Sequence, residues 1–179
     1  MRIHADVELP FDRALVFETY RDRLADLVPY LPNIQAIRVV SREDREAQTD
    51  FVNEWVGGGD IPKVVRGVLK ESMLRWTDYA TWHATDFTVI WRTDVHAFPG
   101  AVASAGKNAY VPLAAGTRLE IRGELTIDAG KVPGVPRLLQ RTVAETAEKI
   151  IVGSVQTNLV EIAKGVRQLL EKERGTLRQ

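Results

Sequence analysis

Hydrophobic and polar residues alternate strictly at the start of the chain. Ile3, Ala5, Val7 and Leu9 share one side, and Arg2, His4, Asp6 and Glu8 share the other. A period of two marks a strand with one face in the core and one in water. Pro10 ends it. From Phe11 to Tyr20 the spacing becomes helical, with Leu15, Val16 and Tyr20 apolar and Asp12 early in the first turn. Leu24 to Leu31 predicts a second short helix, stopped at Pro32-Asn33.

Strand signals follow. Ile34 to Val40 and Gln48 to Val56 flank SREDREA, read as a polar turn, and Gly57-Gly58-Gly59 closes the second. DIPKVVRGVLKES fits either a loop with a helical turn or a distorted edge. Met73 to His83, Phe87 to Ala97, Val102 to Leu113 and Thr117 to Ile127 predict four more strands, with FPG and AAG as hairpin turns. In the last of these Leu119, Ile121, Leu125 and Ile127 alternate with Arg118, Glu120, Arg122 and Glu124, as in an antiparallel sheet wetted on one face.

After AGKVPGVP the period becomes 3.6. Leu139, Val143, Ala147, Ile150, Ile162, Val166 and Leu169 or Leu170 place one helix over about Arg137 to Glu173. At ~1.5 Å per residue it would be about 55 Å long. Gly153, near its middle, is a candidate for a kink or for close approach to the sheet.

One strand, two short helices, about six strands and a long helix make an α+β arrangement, expected to form one domain over residues 1–179. A seven-stranded curved antiparallel sheet must cover its apolar face, and the last helix is the element long enough to do so. This order, with AxVxLPFDRALVFE, NEWVGGGDIPKVVRG, GTRLEIRGEL and VPGVPRLLQRTVAETAEKIIVGSVQTNLVEI, resembles the START/Bet v 1-like helix-grip superfamily over essentially the whole chain. That group includes polyketide cyclases and coenzyme-Q-binding proteins. The resemblance implies an elongated cavity between sheet and helix that holds an apolar ligand. Its families share no catalytic signature, so no residue role is carried over.

Strand parity sorts the densest chemistry in the sequence. Residues 76–96, WTDYATWHATDFTVIWRTDVH, hold Trp76, Trp82 and Trp91 of the four tryptophans and His83 and His96 of the three histidines. Alternation puts the tryptophans with Asp78, Ala80, Phe87, Val89 and Thr93 on the inner face. His83, His96, Arg92 and Asp94 fall on the outer face, where a histidine–carboxylate pair lacks the cleft that catalysis needs. His4 is a surface histidine by the same argument. Phe51, Asn53 and Trp55 share the inner face of their strand. Tyr110, and Thr157 and Asn158 where the helix stripe lapses, join the candidates.

Composition narrows the classes. Lys+Arg and Asp+Glu are 24 each, so no long-range field draws nucleic acid or an anionic surface. The absence of cysteine excludes disulfides, thiolate nucleophiles and cysteine-ligated zinc, and three scattered histidines lack metal-ligand spacing. GGGD at 57–60 lacks phosphate-loop spacing and reads as a turn or lid. MRIHADVELP lacks a basic segment and apolar run, and no stretch is long enough to span a bilayer, so a cytoplasmic protein is expected.

The expected function is binding of a hydrophobic small molecule (a lipid, quinone or polyketide-like ring) without metal or cofactor and, on balance, without catalysis. The expected ligand-binding set is Phe51, Asn53, Trp55, Trp76, Asp78, Trp82, Trp91, Thr93, Tyr110 and Asn158. One alternative is an aromatase/cyclase- or dehydratase-like enzyme in which Asp78, Asn53 or Tyr110 moves protons. Another is a protein-interaction module, which would expose a large apolar patch.

Overall fold

The computed structural model describes residues 1–58, 70 and 73–176, the last three as backbone alone. DIPKVVRGVLKES, apart from Lys70, and the end of GGGD therefore lie outside the described residues.

The elements are β1 (Arg2–Leu9), α1 (Arg13–Asp22), a 3-10 helix (Leu24–Tyr30), β2 (Ile34–Arg45), β3 (Gln48–Gly57), β4 (Arg75–His83), β5 (Thr88–Val95), β6 (Val102–Leu113), β7 (Gly116–Ile127) and α2 (Gln140–Thr176). The strands form one antiparallel sheet in the order β1-β7-β6-β5-β4-β3-β2. Successive strands from β2 to β7 are neighbours, whereas β1 crosses by the short helices to the far edge. The long helix lies mainly on β1, β7 and the 3-10 helix, and its packing on β3 to β5 is sparse. This is the α+β helix grip expected from the element order.

Local chemistry explains the boundaries. Asp12 precedes α1 instead of sitting in its first turn, and its carboxylate accepts from the Ala14 (2.8 Å) and Leu15 (3.4 Å) amides. Such a cap satisfies amides that have no partner within the helix. The second helix is a 3-10 helix with Pro29 inside. Pro29 has no N–H to donate to a carbonyl of the preceding turn, and the element ends one residue later at Tyr30.

The polar run SREDREA is not all turn. Ser41 to Arg45 continue β2, leaving Glu46-Ala47 as the turn, and the register shifts between Val39 and Ser41. Arg38, Val39, Val40 and the five residues after them are all exposed on this edge strand, so no alternation marked it. The charges also protect the edge from pairing with another chain. Phe87 stands in the preceding turn with φ 55°, and β5 begins at Thr88.

Gly153 is exposed, with nothing within 4 Å of the place a Cβ would occupy, and Gln140–Thr176 runs through it as one helix. The close approach belongs to Gly165, where a Cβ would stand 2.6 Å from Tyr30 Cγ. The core runs between sheet and helices. Phe17, Leu27, Leu119, Leu125, Val89 and Val166 are among its most completely buried side chains.

Candidate functional site

Pairing across β3 to β7 decides which inner-face residues become neighbours. Trp55 faces Trp76 across β3–β4, and their indoles stack at 5.7 Å with an 18° tilt. One row further along β4, Asn53 pairs with Asp78, and Asn53 Nδ2 donates to Asp78 Oδ2 at 3.2 Å. The next row is Phe51, Ala80 and Trp91. All three tryptophans of residues 76–96 lie on the concave face, as parity predicts. Trp82 is buried against Phe17, while Trp76 and Trp91 are half-buried.

Trp91 is held in a way that its own strand does not disclose. It pairs with Gly106 on β6, which pairs with Gly123 on β7. A Cβ at Gly106 would meet Trp91 Cζ2 at 2.5 Å, and one at Gly123 would meet Cη2 at 2.9 Å. Two missing side chains thus leave a trough for the indole. Its N–H donates to Asn108 Oδ1 at 2.8 Å, so the ring presents only apolar surface to the interior.

Asp78 is the conspicuous polar group of this face. Burial, which penalises the charged form, pushes its carboxyl up to about 6, against the opposing effect of the Asn53 hydrogen bond. A cavity of about 140 Å³ opens over Phe51, Asn53, Asp78, Ala80 and Trp82. Arg21, Asp22 and Arg42, which also line it, are paired with one another: Asp22 meets Arg21 at 2.7 Å and Arg42 at 3.0 Å. The Arg21 hydrogen bond, the largest cause, holds Asp22 below the usual carboxylate range. Trp55 adds a buried indole N–H with no hydrogen-bond partner among the described residues.

The remaining candidates fall elsewhere. Tyr110 is buried in a ring cluster with Phe17, Tyr20 and Trp82, and burial raises its hydroxyl well above the ordinary tyrosine value. Asn158 is half-buried on α2 and accepts from Asn33 Nδ2 at 3.3 Å. Thr157 is exposed and its hydroxyl is spent on the Gly153 carbonyl. His96 lies on the outer face, bonded to Thr77 Oγ1 at 2.8 Å, in the same strand region as the Arg92–Asp94 ion pair. His4 approaches Asp6 at 3.5 Å on the outer face of β1.

No family model matches the chain, and no curated protein matches it. Solved structures do. Protein TTHA0849 from Thermus thermophilus superposes with a TM-score of 0.65 at 20% identity, over 93% of this chain and 97% of that one. The Zhui aromatase/cyclase from Streptomyces sp. R1128 gives 0.64 at 16%, over 96% and 94%. A STAR-related lipid transfer protein fragment from Xanthomonas axonopodis gives 0.52 at 17%, over 92% and 84%. The fold is the START/Bet v 1-like helix grip. At these identities the likeness is one of fold.

Within that helix grip, the concave wall combines a stacked indole pair, a flat indole over two glycines and a hydrogen-bonded Asn53–Asp78 pair. Parity within single strands found most of these residues. It missed Gly106, Gly123 and Asn108, whose part shows only once β5, β6 and β7 are laid side by side. The signal that could have found two of them was the same alternation, continued through VASAGKN as Val102, Ser104, Gly106 and Asn108. The described helices include none long and apolar enough to cross a membrane.

Proposed function

We propose that this protein binds a hydrophobic small molecule (a lipid, quinone or polyketide-like ring) between the concave face of the sheet and α2. The observation that carries this reading is the half-buried aromatic wall of Trp55, Trp76 and Trp91, over which α2 packs only sparsely. Covering apolar surface that is in partial contact with water contributes about 25 cal/mol per Å² to ligand binding. An aromatase/cyclase and a lipid transfer protein share this fold, which supports a cavity of the same kind here. Tryptophan emission tests the reading directly. Oleate or menadione should shift or quench it, and Trp76→Ala should weaken binding about tenfold, roughly 1.4 kcal/mol. No response to either probe, with no bound molecule in native mass spectrometry, would overturn it.

Asp78 supports a second reading, an enzyme of the aromatase/cyclase or dehydratase kind. A carboxyl that burial raises to about 6 beside a cavity can give or take a proton near neutral pH. Asp78→Asn should then abolish turnover of a polyketone substrate while leaving its binding in place. Undiminished turnover would remove Asp78 from the chemistry.

A further inference from the structure

The strand registers assemble a feature that no single strand contains. On the concave face Asn53 of β3 pairs with Asp78 of β4, Asp78 with Thr93 of β5, and Thr93 with Ser104 of β6. Four consecutive strands place a hydrogen-bonding side chain in the same transverse row. The row ends at Leu125 on β7, which is buried. The flanking rows are apolar: Trp55, Trp76 and Val95 on one side, and Phe51, Ala80, Trp91 and Gly106 on the other. A polar stripe one residue wide therefore crosses the wall between two apolar bands. Neighbouring strands lie about 4.8 Å apart, so four groups span about 14 Å.

The stripe is incompletely satisfied among the described residues. Among the described residues Asn53 spends one N–H on Asp78 and finds no partner for its second N–H or its carbonyl oxygen. Among the described residues the hydroxyls of Thr93 and Ser104 make no hydrogen bond, and both residues are half-buried. The Trp55 indole N–H, one row away, is buried and also has no partner among the described residues. A plain hydrocarbon chain laid across this row would strip these groups of water and return nothing, which is unfavourable. Oxygens on the ligand at matching intervals would restore the bonds. Hydroxyl or carbonyl oxygens on meta carbons of an aromatic ring are separated by nearly the strand spacing.

We propose that the row Asn53, Asp78, Thr93 and Ser104 recognises the oxygenated edge of a planar, multi-ring ligand, whose ring faces rest on the indoles of the flanking rows. This rests on the ligand-binding reading above and narrows it from hydrophobic molecules in general to flat ones with hydroxyl or carbonyl groups along one side. Trp91 suits the apolar share of that contact because its own N–H is already used by Asn108. The fixed spacing of the row sets the interval at which oxygens are accepted, and a flexible acyl chain carries none at that interval.

Fluorescence titration of the full chain with three probes tests this: a meta-dihydroxylated anthraquinone, anthracene and oleate. The anthraquinone should bind at least about tenfold more tightly than anthracene, since a site built to hydrogen-bond oxygens rejects ligands that lack them. The double variant Thr93→Val with Ser104→Ala should reduce that preference about tenfold and leave anthracene affinity within about twofold of the parent. Circular dichroism melting verifies that the variant folds, and Ser104→Ala alone, a smaller change, should show a reduced form of the same loss. Equal binding of all three probes, or an unchanged preference in the folded double variant, would overturn the stripe while leaving hydrophobic binding standing. Failure of all three to bind, with no bound molecule in native mass spectrometry, would overturn both.

Discussion

At Asp78 two effects oppose each other, and their balance sets a pH dependence. An aspartate in the unfolded chain ionises near 3.8, whereas folded Asp78 ionises near 6, because burial outweighs the Asn53 hydrogen bond. Below 3.8 the group is neutral in both states and contributes nothing. Between 3.8 and 6 the unfolded chain gives up its proton first, so stability falls as pH rises; above 6 the loss is complete. That interval, at ~1.4 kcal/mol per pH unit, amounts to about 3 kcal/mol. Asp78→Asn should therefore gain on the parent in urea denaturation from pH 4 upward, by up to about 3 kcal/mol, and stop gaining above about pH 7. A gap that is flat across this range would show that Asp78 is not desolvated. A fold that carries such a cost inside its wall has the form expected of a site, where groups unfavourable for stability persist for function.

Within α2, Gly153 and Gly165 make opposite predictions. Gly153 is exposed with open space around its missing Cβ, so Gly153→Ala should stabilise the protein by about 0.5–1 kcal/mol through helix propensity alone. Gly165 has the same propensity to gain, but its Cβ would stand 2.6–2.7 Å from Tyr30 Cβ, Cγ and Cδ2. Those atoms lie at the root of the side chain and cannot swing aside, so Gly165→Ala should destabilise by about 1–3 kcal/mol. Thermal melting of the pair reads both signs. The sequence places both glycines in one helical pattern and does not distinguish them. Only the packing of α2 against the 3-10 helix does. β2 shows the converse limit: Ser41 to Arg45 are exposed on an edge, so their composition resembles a turn while their hydrogen bonding is that of a strand.

For the molecule as a whole, core and wall divide the sheet's inner face between stability and binding. Leu125 is 1% exposed, and Leu125→Ala should cost about 3 kcal/mol as removed atoms leave a cavity. Trp76 is half-buried beside the sparsely covered part of the sheet. Trp76→Ala removes a larger side chain, yet should cost no more stability than Leu125→Ala while weakening apolar-probe binding. Chemical denaturation and probe titration on the two variants separate the roles. If Trp76→Ala proves the more destabilising, the indole is core rather than wall.

The sequence by itself determined the order of elements and the face on which most residues lie, because a period of two or 3.6 is written in neighbouring positions. That periodicity puts Trp76, Trp82, Trp91 and Asp78 in the interior and His4 and His96 on the exterior, and the structure agrees. Tertiary structure alone decided which inner residues stand side by side. The row from Asn53 to Ser104, the trough of Gly106 and Gly123 under Trp91, and the seat of Gly165 on Tyr30 each join separate segments of chain. Their alignment depends on strand register and helix docking, which are set by the packing of the whole sheet and leave no periodic trace in any one segment.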